Sequence, residues 1–329
     1  MKKGIWGLLL ILIFIITSCG RAEVAPGELT TYAPPVETTT EPETTTTEET
    51  TTVPPDVYVG DILIPGDATE ADISYVDVKY LGVDMNKVLD SLPYLKNINM
   101  IGCGLTNAEY AALQDSHPDV KILWEVNLTY WTLRTDAVAF STFKAVGQNY
   151  WLTNQDAYYL RYCTDLVALD IGHNMVSDIS FLQYLPNIKV LILVDNMKPF
   201  DETGGYLEYL EDCSWISYCK KLRYLEIFVS DVKDLSFLKD TPLIEDLNIC
   251  YSYVDSTEYL KDLPHLQRLW MEGTDVPYED FEELEKLYPD ATLVYWGSGS
   301  VDQGWRDGDH YWAMRNMVIN NVIDPVYAD

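Results

Sequence analysis

The chain has 329 residues, with 22 Lys and Arg against 52 Asp and Glu and a formal net charge of -30. An acid excess of this size rules against sequence-independent binding of nucleic acid, which runs on clustered Lys and Arg. It fits a soluble surface that prefers cationic or neutral partners. Twenty-four Tyr and nine Trp supply rigid contact area, a composition closer to a binder than to an enzyme.

The chain opens on Met1-Lys2-Lys3, continues with an apolar run from Ile5 to Ile16, and reaches Ile16-Thr17-Ser18-Cys19. A basic start, a short apolar stretch and small residues make a secretory signal, and the run is shorter than the ~20 residues a spanning helix needs. Ile16-Thr17-Ser18-Cys19 resembles the lipobox of bacterial lipoproteins, with Ile and Thr where Leu and Ala are more usual. The resemblance implies diacylglycerol on the Cys19 sulfur and a mature chain starting there. Two acyl chains suffice for stable anchoring. The expected location is extracytoplasmic, lipid-anchored to the outer face of the bacterial cell membrane.

From Glu28 to Val53 the residues are almost only Thr, Glu and Pro, and no Lys or Arg occurs between Arg21 and Lys79. So little apolar surface cannot offset ordering entropy, which predicts an unfolded tether. At ~3.1 Å per residue, Cys19 to Asp56 reaches on the order of 100 Å.

Beyond the tether the sequence repeats. Leu166-Val167-Ala168-Leu169-Asp170-Ile171 with Asn174 recurs at Ile188–Leu193 with Asn196, then from Leu222, Ile244 and Leu266, mostly 22 residues apart. The same frame extends to Val76-Val78, Ile98-Met100, Val120-Ile122 and Ala291-Leu293, so the second strand position reads Val78, Met100, Ile122, Ile171, Leu193, Ile227, Ile249, Met271 and Leu293. The pattern LxxLxLxxNxV is similar to the leucine-rich repeat family, specifically its 22-residue bacterial and SDS22-like class. Together with the C-terminal Gly304-Trp305-Arg306…Tyr311…Met314-Arg315, it resembles leucine-rich repeat lipoproteins of Firmicutes. The expected fold is an α/β leucine-rich repeat solenoid, curved, with parallel strands on the concave face and short helical, 3-10 or irregular returns on the convex face. Physically, one unit cannot bury its own apolar face, so neighbours must stack. The slot holding Asn174, Asn196, Ser230, Ser252 and Thr274, with Cys103 upstream, suits side chains that hydrogen-bond the turning backbone.

The expected organisation is a signal peptide over 1–18, the tether over 19–56, an N-terminal cap over 57–72, repeats over 73–296, and a C-terminal cap over 297–329. Insertions fall near 125–151, read as a hairpin or extended excursion, and near 199–218. Thr153 is placed to cap a short helix. The C-terminal cap is read as an amphipathic helix covering an open solenoid end.

No sequence feature carries catalysis. His117, His173, His265 and His310 lack metal-site spacing, and there is no GxSxG, Walker loop or GxGxxG. No catalytic residue, metal or cofactor is expected. Cys213 and Cys219 invite a disulfide in an exported protein, yet Cys163 and Cys219 sit where Leu92, Leu185 and Leu263 sit in other units, which favours a core role.

By period-two alternation, strand residues between the buried ones point outward. The candidate ligand-binding row is Asp170, His173, Ile192, Asp195, Tyr224, Glu226, Phe228, Asn248, Tyr251, Arg268, Trp270 and Glu272. Aromatics interleaved with acids suit a recognition surface for a protein or peptide with basic residues. The row packing on itself or on the 199–218 insertion is the structural alternative. A carbohydrate stacking on Trp270, Tyr224 and Tyr251 is a second binding reading. An enzyme with a site in the 125–151 excursion or the C-terminal cap is a third. Nucleic acid is not an expected partner, and the membrane is expected to be met through the lipid alone.

Overall fold

A computed structural model describes residues 53–142, 150–198, 208–297 and 304–328. All belong to the second of two units, Thr52–Asp329. The signal segment, Cys19 and most of the tether lie outside the described residues.

A two-strand hairpin, β1 (Val57–Val59) and β2 (Ile62–Ile64), pairs antiparallel at the N-terminal end. Next come three parallel strands, β3 (Glu70–Asp72), β4 (Asn97–Asn99) and β5 (Lys121–Leu123). Their returns are helical: α1 (Met85–Asp90) and α2 (Asn107–Ser116). Thr106 and Glu109 start α2 with a reciprocal capping box, which satisfies two backbone N–H groups that helix geometry leaves free. The excursion is a hairpin, as expected, with β6 (Glu125–Asn127) paired antiparallel to β7 (Thr132–Arg134).

The main sheet has seven parallel strands: β8 (Ala139–Ser141), β9 (Ala168–Asp170), β10 (Val190–Ile192), β11 (Tyr224–Glu226), β12 (Asp246–Asn248), β13 (Arg268–Trp270) and β14 (Thr292–Val294). Their register sets Phe140, Leu169, Leu191, Leu225, Leu247, Leu269 and Leu293 abreast. This ladder, the expected 22-residue unit and the short returns define a leucine-rich repeat solenoid. Thr153 caps the short helix α3 (Asn154–Ala157), again with a reciprocal box through Asp156. Several returns are single 3-10 turns, Ser180–Tyr184, Ser214–Tyr218 and Ser236–Asp240, each opened by an Asp accepting from the Ser N–H two residues on. The last return is a full helix, α4 (Tyr278–Leu287).

The structure corrects the repeat frame at its edges. Ala71 pairs with Ile98 and Ile98 with Ile122, so the positions abreast of Met100 are Ile73 and Trp124 rather than Val78 and Ile122. Leu293 likewise stands beside Leu269, one step earlier than expected. The N-terminal spacing departs from 22, and a fixed period slides off the true strands. Strand β3 already lies inside the segment read as an N-terminal cap, and β8 lies inside the segment read as excursion.

The slot after each strand does the structural job foreseen for it. Asn174 Nδ2 donates to the Ile171 and Gly172 carbonyls at 2.9 and 2.8 Å, and Asn196 Nδ2 reaches Leu193 O at 2.9 Å. Ser230, Ser252 and Thr274 make the same hydroxyl-to-carbonyl bond at 2.7 to 2.9 Å. The residue just before the slot adopts a left-handed backbone in every one of these coils: His173, Asp195, Val229, Tyr251 and Gly273. At Gly273, φ is +70° and an added Cβ would come within 2.6 Å of the Tyr251 ring. Gly273→Ala is therefore expected to lower stability by about 1–2 kcal/mol, read as a shifted urea midpoint, whereas His173→Gly in the equivalent slot adds no backbone strain and gives up the side-chain contact with Asp195.

Cys213 occupies the slot that Ile179 and Leu235 fill in neighbouring returns, and the five described cysteines are buried and free. Burial pushes the Cys103 thiol up to about 11 and those of Cys219 and Cys250 to about 12, away from nucleophilic thiolate chemistry at neutral pH.

Candidate recognition site

Two hydrophobic cores lie on opposite sides of the main sheet. One fills the solenoid interior. The other joins the outward strand residues Val190, Ile192, Tyr224, Phe228 and Trp270 to Trp305, Met314, Met317 and Tyr327 from the C-terminal segment. Helix α5 (Asp309–Asn320) buries His310, Ala313, Met314 and Met317, one stripe at helical spacing, and packs on β8 and β9. The expected amphipathic helix exists, but it covers the strand face rather than only an open end.

That placement corrects the candidate row. Ile192, Tyr224, Glu226, Phe228, Asn248 and Trp270 are buried. Trp305, 0% exposed, lies against Tyr224 and Trp270 with ring centroids 5.2 and 5.1 Å apart, and the Arg268 guanidinium sits 4.8 Å from the Trp305 ring centre. The aromatics that read as ligand anchors serve as core, and the chain's own C-terminal segment covers them.

Polar residues of the row pin the segment down. Glu226, 0% exposed, accepts from Arg306 Nη2 at 2.7 Å and Nε at 3.3 Å, and from the Tyr224 hydroxyl. Arg268 donates to both carboxylate oxygens of Asp246, at 2.9 and 2.6 Å, and to the Trp305 carbonyl at 2.8 Å. His310 stands 3.1 Å from Glu245 and 3.2 Å from Asp246. Burial pushes the Asp246 carboxyl up, but the bonds from Arg268 and the contact with His310 outweigh it and hold the group below its ordinary value. Lys189 Nζ and Arg223 Nη1 donate to the Tyr327 and Val326 carbonyls, each at 2.7 Å.

The remainder of the row lies at the margin. Asp170 accepts from Ser141 Oγ at 2.8 Å, and burial pushes its carboxyl up. His173 is exposed, with Nδ1 2.8 Å from Asp195 Oδ2. Tyr251 and Glu272 are half-buried.

Two other surfaces are open. On the N-terminal sheet a cavity of about 480 Å³ is lined by Glu70, Asp72, Asn97, Asn99, Lys121 and Asp136. Asn97 and Asn99 donate to Glu70 and Asp72 at 3.4 and 3.0 Å, making an amide and carboxylate ladder across β3 and β4. Hydrogen bonding from Ser74 holds the Asp72 carboxyl below its ordinary value. A second cleft, about 1080 Å³, lies between α2, the β6–β7 hairpin and α3. Sequence reasoning missed the first surface because the frame slipped in those units. The second was signalled only by the Tyr130-Trp131 and Tyr150-Trp151 pairs flanking the excursion. Among the described residues no group of three or more His, Cys, Asp or Glu is arranged to hold a metal ion.

The class defined is a leucine-rich repeat solenoid whose main strand face is closed by its own C-terminal segment. No protein-family model and no curated protein matches the chain. Among solved structures it is similar to an internalin of Listeria monocytogenes, at 17% identity and a TM-score of 0.35, over 63% of either chain. Internalin C2 of the same organism follows at 18% and 0.33, over 50% of this chain and 76% of that one. A leucine-rich repeat protein of Leptospira interrogans stands at 17% and 0.35, over 64% and 51%. The chain thus spans less than two thirds of the first and last of these.

Proposed function

We propose that this protein is a lipid-anchored, extracytoplasmic recognition protein. It holds a protein or peptide ligand noncovalently on the uncovered strand face of its N-terminal sheet. The observation that carries this reading is a contrast between equivalent positions. Outward residues of β3–β5, including Glu70, Asp72, Asn97 and Lys121, are exposed, whereas those of β10–β12 are buried. A ligand with basic side chains suits the two carboxylates, and Asn97, Asn99 and Lys121 supply donors for its carbonyl groups. The Ile16-Thr17-Ser18-Cys19 motif and the long tether support display at a distance from the membrane.

The test has two arms on the full chain. A lysine-rich octapeptide is expected to bind, to weaken as salt rises from about 50 to 500 mM, and to lose about tenfold in affinity in Glu70→Gln/Asp72→Asn, about 1.4 kcal/mol. Equal binding by parent and variant removes the ligand face. Palmitate labelling that persists in Cys19→Ala removes the anchor.

A further inference from the structure

The flank cleft has no part in the reading above, and its chemistry differs from that of the strand face. Its described lining residues include no Lys or Arg. That disfavours phosphate, carboxylate and other anionic ligands, which need paired cationic donors. Its two carboxylates are unequal. Asp156 is buried and already accepts from the Thr129 hydroxyl at 2.8 Å and from Thr153, whereas Glu125 is exposed. The remaining polar lining is neutral and includes exposed Asn127, Thr132 and Gln155.

Against these hydrogen-bonding groups stands an aromatic platform. Tyr130 is 59% exposed at the tip of the hairpin. It is backed by Tyr150, stacked at 4.8 Å with planes 27° apart, and by Trp131, edge-on at 6.0 Å. The hairpin turn that carries it is fixed locally, because Asn127 Oδ1 accepts from Thr129 N at 3.0 Å and Leu128 O accepts from Tyr130 N at 2.8 Å. The hairpin itself is tied to α2 by a reciprocal pair: Asn107 Nδ2 donates to Asn127 O at 2.7 Å and Asn107 Oδ1 accepts from Asn127 N at 3.0 Å. The ring is thus held in place before any ligand arrives, which lowers the ordering cost of binding.

We propose that this cleft binds a neutral oligosaccharide, with one pyranose face on Tyr130 and hydroxyl groups shared among Glu125, Thr132 and Gln155. A sugar ring offers an apolar C–H face to an aromatic and a rim of hydroxyls that both donate and accept. The described lining matches both, with Glu125 as its exposed charge. The size favours several linked units over a single sugar, since about 1080 Å³ exceeds the ~300–1,000 Å³ typical of small-molecule pockets. Among the described lining residues the second carboxylate, Asp156, is already held by Thr129 and Thr153, so the inference is binding without cleavage.

The test is calorimetric titration of the full chain with β-1,4-linked hexasaccharides of glucose, xylose, mannose and N-acetylglucosamine. At least one is expected to bind with an affinity unchanged between low and high salt. Tyr130→Ala is expected to weaken it at least tenfold, Gln155→Ala several-fold, and Tyr130→Phe little, because the stacking ring is kept. Glu70→Gln/Asp72→Asn leaves it unchanged, which separates this site from the strand face. Tyr130 is exposed, so the variant folds, and unaltered thermal unfolding verifies it. Binding of none of the four sugars, or equal binding by Tyr130→Ala, overturns the proposal. So does a salt-sensitive lysine-rich peptide that proves to be the Tyr130-dependent ligand.

Discussion

A chain ended at residue 297 is expected to lose cooperative folding rather than a dispensable tail. Ending it there uncovers Ile192, Tyr224, Phe228 and Trp270 together on one sheet face, and deletes Trp305, Met314, Met317 and Tyr327, which cover them. Burying a large apolar side chain contributes about 1.5–3 kcal/mol. Loss across several such residues is on the order of 10 kcal/mol, comparable with the ~5–15 kcal/mol that holds a whole domain folded. Glu226, Asp246 and Arg268 also lose partners or neighbours supplied by the segment. The measurement is thermal unfolding by circular dichroism with binding of a hydrophobic dye. A broad, early transition with strong dye binding is the expected result. A sharp transition close to that of the parent shows the segment to be an appendage.

The Arg306–Glu226 pair gives the second large effect, and its size depends on whether one partner or both are replaced. Glu226 has no exposed surface, and Arg306 keeps 31% of its side chain exposed. In Arg306→Ala the carboxylate stays buried with only the Tyr224 hydroxyl as partner. Breaking a buried pair from one side costs about 3–5 kcal/mol, and the partial exposure of Arg306 places the expected loss near the lower figure. Replacing both, as Glu226→Gln/Arg306→Met, is expected to recover most of it, because the amide still accepts from Tyr224 and no charge is stranded. Urea denaturation of the parent, single and double variants checks this. A double variant no better than Arg306→Ala assigns the loss to packing instead of charge.

The repeat was legible because burial forces it: Leu and Ile abreast in the interior recur with the coil, and the slot after each strand announces itself through Asn, Ser and Thr. The outward side was legible only as alternation. Tyr224 and Trp270 point away from the interior, as expected, yet alternation cannot say whether water, a ligand or the chain itself lies beyond. The apolar stripe of α5 was visible too. Its destination was not, because Trp305 and Trp270 are joined by folding alone. A Tyr224→Ala/Trp270→Ala variant, which from the sequence reads as a probe of ligand contact, is in the structure a deletion from a core. The N-terminal strand face was hidden for a simpler reason. The first coils are longer than 22 residues, and a frame anchored on Leu166 steps past Ile73 to Val78.

The seating of the C-terminal segment also sets the order in which the molecule can mature. A repeat protein ordinarily gains stability coil by coil from nearest neighbours, and its early coils can settle while later ones are still being made. Here Asn321 bonds the backbone of Val138 across 183 residues, and Lys189 and Arg223 wait for carbonyls at the far end of the chain. Contacts of such long sequence separation slow folding, since the loop must close before they return any stability. The main sheet is complete only when the segment through Tyr327 has emerged, so the coils beneath it stay pliable until then and lock together as it docks. A ribosome stalled before Trp305 leaves an aromatic sheet face bare and open to proteases until the covering segment follows.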